Sequence, residues 1–166
     1  MLNKNYEIIK FNSMHVKEIK MLFGKNADSI LDKFNSNEID IYAIKVSNNY
    51  VGRLIVDYKN RFLDNETKEN ERVGISWLLI EKDFRGNGYS SILMEYVINV
   101  LSDKGYTEFT VGVEPENKIA INLYSKHGFT NLIGSSEYPF EFNLYLKKYK
   151  NKKLVNKSYF CMNLNK

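Results

Sequence analysis

The 166-residue chain is expected to form one mixed α+β domain, and three observations carry that expectation. A nearly unbroken apolar run, VGISWLLI (73–80), is followed by helical apolar spacing from residue 90 and then by FTVGV (109–113). That order is a βαβ unit, whose strands run parallel through a right-handed crossover. Two further β runs, IDIYAIKV (39–46) and YVGRLIVDY (50–58), flank Ser47-Asn48-Asn49, a hairpin turn because Asn tolerates positive φ. The length suits one core and is short for two, so residues 1–166 are read as a single domain.

The remaining elements follow in chain order. EIIKF (7–11) is a short strand. Val16, Ile19, Leu22 and Phe23 share one helical face, with Gly24 placed as a C-cap, and a second short helix is expected at 27–35. Residues 59–72 are charged and Asn-rich without apolar periodicity, hence a loop. Strand 73–80 is apolar enough for burial on both faces, with Trp77 read as a core residue whose fluorescence reports cofactor binding. Ile92, Leu93, Tyr96, Val97, Val100 and Leu101 define a helix over 89–104 that Gly105 ends. A strand at 107–113 and a helix at 116–127 capped by Gly128 follow. Alternation then marks strands at 140–146 and 158–164, which favours packing for Phe140 and Phe142 and makes Cys161 a small core residue.

Composition excludes several classes. With 43% hydrophobic and 14% aromatic residues, the chain is not a disordered one. No apolar run reaches the roughly 20 residues of a membrane span, and MLNKNYEIIKF lacks a signal-peptide core, so no membrane is expected. One cysteine suits a reducing cytoplasm, and two separated histidines plus that cysteine make no metal site. Net charge is +4, concentrated in KKYKNKKLVNK (147–157), which reads as a solvated loop; it lacks the aromatic platforms of a single-strand binder, so nucleic acid is not an expected partner. The sequence does not specify an oligomeric state and leaves a homodimer open.

Two stretches carry the chemistry. In RGNGYS (85–90), Gly86 and Gly88 let the backbone approach a ligand closely, just where a helix begins after an apolar strand. Backbone N–H groups of Gly86, Asn87, Gly88, Tyr89 and Ser90, together with the helix dipole, form a concavity suited to a pyrophosphate, and Arg85 can add a charge-assisted hydrogen bond. A dinucleotide fingerprint is excluded because Ser91 stands at its third glycine, and no Gly-Lys-Ser/Thr run marks a P-loop. The second stretch, ENKIAINLYSKHGF (116–129), sets an amide, Asn117, and a phenol, Tyr124, on the next helix.

Together the two stretches resemble the GCN5-related N-acetyltransferase (GNAT) family. Its phosphate loop, Arg/Gln-x-x-Gly-x-Gly/Ala, is matched by Arg85 and Gly88, with Ser90 in the last place; its helix pattern is matched by Asn117, Ala120, Leu123, Tyr124, Lys126, Gly128 and Phe129. The resemblance implies a strongly twisted mixed sheet with helices on both faces and splayed parallel strands at 73–80 and 107–113. It implies acetyl-CoA as cosubstrate, its pantetheine arm pairing with backbone at Leu78 and Ile80, Asn117 on that arm and Tyr124 at the thioester sulfur. Some members carry a glutamate base where this chain has Gly112.

The reaction so implied is attack of a neutral amine on the acetyl carbonyl. An ammonium of pKa ~10.4 is about 0.04% neutral at pH 7, so a base is needed. Glu114 is the preferred candidate, with Glu116, Glu81 and ordered water as alternatives, and an N–H near Leu79 or Ile80 is expected to meet the oxyanion. Tyr124 is the candidate acid; complete transfer from a phenol to a thiolate costs about 2 kcal/mol, so it shares its proton in the transition state. The acceptor surface falls to residues 14–35, 59–72 and 134–146. Asp64, Glu66, Glu69 and Glu71 there suit either loop solvation or a cationic acceptor, and Tyr138 suits either a pocket or packing. Three functions stay open: transfer to a small primary amine, transfer to a protein N-terminus or lysine, and a non-catalytic acyl-CoA-binding module.

Overall fold

The computed structural model describes residues 5–149. In chain order the elements are β1 (Tyr6–Lys10), α1 (Val16–Phe23), α2 (Ala27–Asn35), β2 (Ile39–Val46), β3 (Asn49–Asp57), β4 (Arg72–Ile80), α3 (Tyr89–Asp103), β5 (Glu108–Val113), α4 (Lys118–Lys126), β6 (Asn131–Ser136) and β7 (Phe142–Lys148). They form one seven-stranded sheet in the order β1-β2-β3-β4-β5-β7-β6. Among the described residues only β4 and β5 pair in parallel, with α3 as the crossover between them.

Strand alternation gives each sheet face its own core. On one face Val73, Ile75, Phe109 and Val111 pack with Leu93, Met94, Val97 and Leu101 of α3, and α4 lies on the same side through Tyr124. On the other face Ile19, Phe23 and Ile30 of α1 and α2 cover Ile39, Ile41, Ala43 and Ile55. The β2–β3 hairpin closes as expected: Ser47 and Asn48 take φ of 48° and 68°, and Val46 pairs with Asn49. Two left-handed residues twist such a turn in the sense the strands need. Gly24, at φ 51°, ends α1 with its N–H on the Lys20 carbonyl.

β4 departs from the expectation of burial on both faces. Val73, Gly74 and Ile75 are buried, whereas Ser76 through Leu79 are only half-buried. Two features account for this. Opposite β3 the register passes from Ile55↔Ser76 to Arg53↔Leu79, so Trp77 and Leu78 together face the single residue Leu54. This is a β-bulge, and Trp77 sits in it at φ 52°, a conformation bulky residues adopt only under constraint. Its indole meets Phe23 edge-on at 5.7 Å, at the margin of the α1–α2 core. Opposite β5, pairing stops at Ile75↔Val111. Beyond that pair the two strands diverge, as the family resemblance implies.

The 59–72 loop is more ordered than its composition implies. Glu66 is buried, and its carboxylate accepts backbone N–H bonds from Arg61, Phe62 and Leu63. Asn60 Oδ1 accepts from the Thr67 N–H and hydroxyl, and Thr110 Oγ1 donates to the Glu66 carbonyl at 2.7 Å. Glu66 is therefore a structural anchor and not a solvating loop acid. β6 is a strand that the sequence pattern does not announce, since NLIGSS buries none of its residues and carries a glycine. β7 begins two residues later than expected, so Phe142 is buried while Phe140 remains 45% exposed. The expected strand 158–164, Cys161 and the lysines from 150 onward lie outside the described residues.

Candidate active site

The divergence of β4 and β5 opens a cleft of about 380 Å³ on the α3–α4 face. Its floor is the second half of β4 (Leu78, Leu79, Ile80), one end is the 84–90 turn, and its far wall is α4. Gly86 and Gly88 take φ of 75° and 77°, and a Cβ built on either meets nothing within 4 Å. Packing does not demand glycine here. The left-handed backbone does, and the space in front of it stays open for a ligand. Gly88 is also the N-cap of α3, so the first-turn N–H groups of a 15-residue helix point into that space without intrahelical acceptors.

Every cofactor residue expected from sequence lines the cleft except one: Leu78, Leu79, Ile80, Arg85, Gly86, Gly88, Tyr89, Ser90, Asn117 and Tyr124. The exception, Asn87, turns its Nδ2 onto the carbonyls of Phe84 (3.1 Å) and Arg85 (3.2 Å) and braces the turn from behind. Arg85 Nε donates to the Ile80 carbonyl at 2.9 Å, locking the turn to the end of β4 and occupying one backbone site expected to pair with pantetheine. Asn117 is the N-cap of α4, its Oδ1 accepting the Ala120 N–H at 3.1 Å. That bond fixes the amide at the cleft wall with Nδ2 as its donor side. Phe84, Ile119, Ala120 and Leu123 add an apolar surface to the cleft, and Ile119 is 86% exposed. Phe84, in the turn after β4, gives no signal in the sequence; Ile119 and Leu123 are readable as one α4 stripe spaced by four.

Tyr124 lies inward on α4, buried against Phe129 at 6.0 Å between ring centroids. Burial pushes its phenol pKa up to about 12, so it is fully protonated at neutral pH. Glu114 is exposed beyond β5 and lines neither this cleft nor the cavity described next.

A second cavity, of about 70 Å³, lies on the opposite sheet face, beneath the 59–72 loop. Asp57, Arg61, Phe62, Ser76, Thr110 and Phe142 contribute to its walls. Asp57 is 6% exposed, and its Oδ2 accepts the Ser76 hydroxyl at 2.5 Å. Burial raises its carboxyl pKa above the ordinary range, partly offset by Arg61 and the Ser76 bond. Arg61, Phe62 and Phe142 fall in the segments expected to form the acceptor surface, whereas Asp57 was not expected at a site, since an aspartate closing an apolar strand reads as its solvent-exposed end.

The acetyltransferase (GNAT) family model matches residues 13–129. No curated protein sequence matches the chain. Among solved structures, the chain is similar to a GNAT family acetyltransferase from Elizabethkingia anophelis with acetyl-CoA bound (17% identity, 87% of this chain and 98% of that one, TM-score 0.67). It is similar also to an N-acetyltransferase from Staphylococcus aureus Mu50 (15%, 88% and 99%, 0.67). A third is the Salmonella typhimurium acetyl transferase that modifies the N-terminal serine of 50S ribosomal subunit protein L7/L12 (14%, 89% and 96%, 0.67). At these identities the structural likeness speaks for the fold alone. The family match spans most of the chain, the sheet diverges where the family's cosubstrate inserts, and the glycine cradle stands at the end of that gap: this protein belongs to the GNAT family of acetyltransferases, with acetyl-CoA as cosubstrate.

Proposed function

We propose that the protein is an N-acetyltransferase that moves the acetyl group of acetyl-CoA directly to the primary amine of a small molecule within a ternary complex. The observation that carries this reading is the continuity of the cleft, which runs from the Gly86–Gly88 cradle along β4 to Tyr124 without a break in its lining. A pyrophosphate in the cradle aims the pantetheine arm along Leu78 and Ile80, between Asn117 and the apolar face of α4. The thioester then lies at the divergence of β4 and β5, beside the Tyr124 phenol.

Tyr124 donates a hydrogen bond to the departing sulfur. With its pKa at about 12 against ~8.5 for a thiol, complete proton transfer costs about 5 kcal/mol, so the proton is shared as the C–S bond breaks and not delivered beforehand. Ser90, where the family pattern has glycine or alanine, adds a hydroxyl at the cradle's edge. Glu114 keeps a role as base only through solvent, being exposed at the end of β5.

Thiol release from acetyl-CoA, followed over a panel of primary amines and peptides, tests the reading. The expected result is saturable turnover with a small amine. Tight acetyl-CoA binding with no turnover on any acceptor would instead make the chain a coenzyme-binding module.

A further inference from the structure

The cavity at Asp57 adjoins the same divergence of strands from the other side. Ser76 and Gly112 are the first residues of β4 and β5 beyond their last pair, Ile75↔Val111, and both line it. Leu78, two residues further along β4, lines the acetyl-CoA cleft. Gly112 is also the position where some family members carry a carboxylate base, and here a Cβ would meet Phe142 Cδ2 at 3.2 Å.

The walls combine one available carboxylate with three aromatic rings. Phe62, Phe140 and Phe142 stand 5.5–5.6 Å apart pairwise, and Phe62 and Phe140 remain 39% and 45% exposed. Exposed rings at the mouth of a cavity whose floor is a buried aspartate offer apolar contact outside and a counter-charge within. Of the two acids, Glu66 is committed to three backbone N–H groups. Asp57 Oδ2 holds Ser76, while Oδ1 stands 4.0 Å from Arg61 Nε, beyond hydrogen-bonding length.

Resting on the transferase reading, we infer that this cavity is the acceptor site, that it takes a small monoamine with an aromatic or apolar body, and that Asp57 holds the ammonium and takes its proton. The cavity has room for the amine head and a few carbons, with the body against Phe62 and Phe140. Arg61, held over the Phe62 ring at 5.1 Å, places a positive charge at the rim and disfavours a second ammonium. Of the other loop acids, Glu71 pairs with Lys68 and Glu69 lines a different surface depression. The rim charge of Arg61 therefore disfavours a polyamine.

The step balances as follows. Asp57 removes one proton from the ammonium, and the freed lone pair forms the N–C bond at the acetyl carbonyl. The C–S bond then breaks, the sulfur takes the Tyr124 proton, and the Tyr124 oxygen recovers the second proton of the attacking nitrogen. Amide and free thiol leave, and Asp57 returns its proton to solvent.

The test compares kcat and KM for 2-phenylethylamine, spermidine and a serine-led octapeptide, with acetyl-CoA affinity measured separately by calorimetry. Phenylethylamine is expected to exceed both others at least tenfold in kcat/KM. Phe140→Ala, at an exposed position, should raise its KM about tenfold and leave kcat and acetyl-CoA affinity unchanged. Asp57→Asn should lower kcat/KM a hundredfold or more and abolish the acidic limb of its pH profile. That limb belongs above the ordinary carboxylate range, because burial and Glu66 outweigh Arg61, Lys33 and the Ser76 bond. Spermidine or the peptide ranking first, or Asp57→Asn keeping both its rate and its acidic limb, overturns the assignment while leaving the transferase intact. Failure of acetyl-CoA to bind at all removes the transferase reading, and this proposal with it.

Discussion

Tyr124 and Asp57 are both buried polar groups, and burial acts on them in opposite functional senses. Raising a phenol's pKa to about 12 makes Tyr124 a weaker acid but a reliably protonated donor. Tyr124→Phe keeps the edge-on contact with Phe129 and removes only the hydroxyl, so kcat should fall tenfold or more while the acetyl-CoA dissociation constant holds. Asp57 bears a charge that its surroundings disfavour. Its folded pKa exceeds its unfolded one, so the folded state binds more protons and stability declines as pH rises from the ordinary carboxylate value through the raised one. Asp57→Asn should therefore raise the melting temperature at pH values above the carboxyl's raised pKa, with the difference from wild type shrinking as pH falls toward 3; a lower Tm across the whole range would show that the carboxylate stabilises the fold. Of these two residues only Tyr124 was legible in the sequence, because it belongs to a spaced pattern with Asn117 and Gly128. Asp57 becomes buried only when the 59–72 loop that follows it folds back over the sheet.

At the scale of elements, the loop covering that aspartate depends on one side chain. Glu66 draws Arg61, Phe62 and Leu63 into a turn around its carboxylate, and Thr110 on β5 holds the turn to the sheet. Glu66→Gln leaves one acceptor oxygen where two were used and turns an NH₂ toward N–H groups. A loss of about 1–3 kcal/mol is expected, read as a fall in Tm of roughly 3–8 °C. Elements with strong periodicity, α3 and the β2–β3 hairpin among them, fall within a residue or two of their expected bounds. β6 escapes because an edge strand with one covered side needs little apolar patterning. The bulge at Trp77 escapes for a different reason: an apolar run carries no trace of where its register slips against a neighbour.

For the whole molecule, one sheet separates two chemistries. The α3–α4 face holds a glycine-lined cradle and an apolar channel, and the α1–α2 face holds an acid beneath aromatic rings. Acetyl-CoA should stabilise the fold by mass action: at a hundredfold excess over its dissociation constant, about 2.7 kcal/mol, or a thermal shift of roughly 5–10 °C. On the proposed reading, in which the phosphates and not the thioester engage the cradle, desulfo-CoA should give a comparable shift and adenosine alone little.

The crimp that Trp77 puts into β4 has a kinetic consequence. If the acceptor enters through the Asp57 cavity as proposed, the two reactants have separate doorways on opposite sides of the sheet, so neither needs to arrive before the other and neither product is trapped behind its companion. Initial-velocity lines should intersect instead of running parallel, and the acetylated amine should depart as readily from an enzyme still carrying CoA as from an empty one.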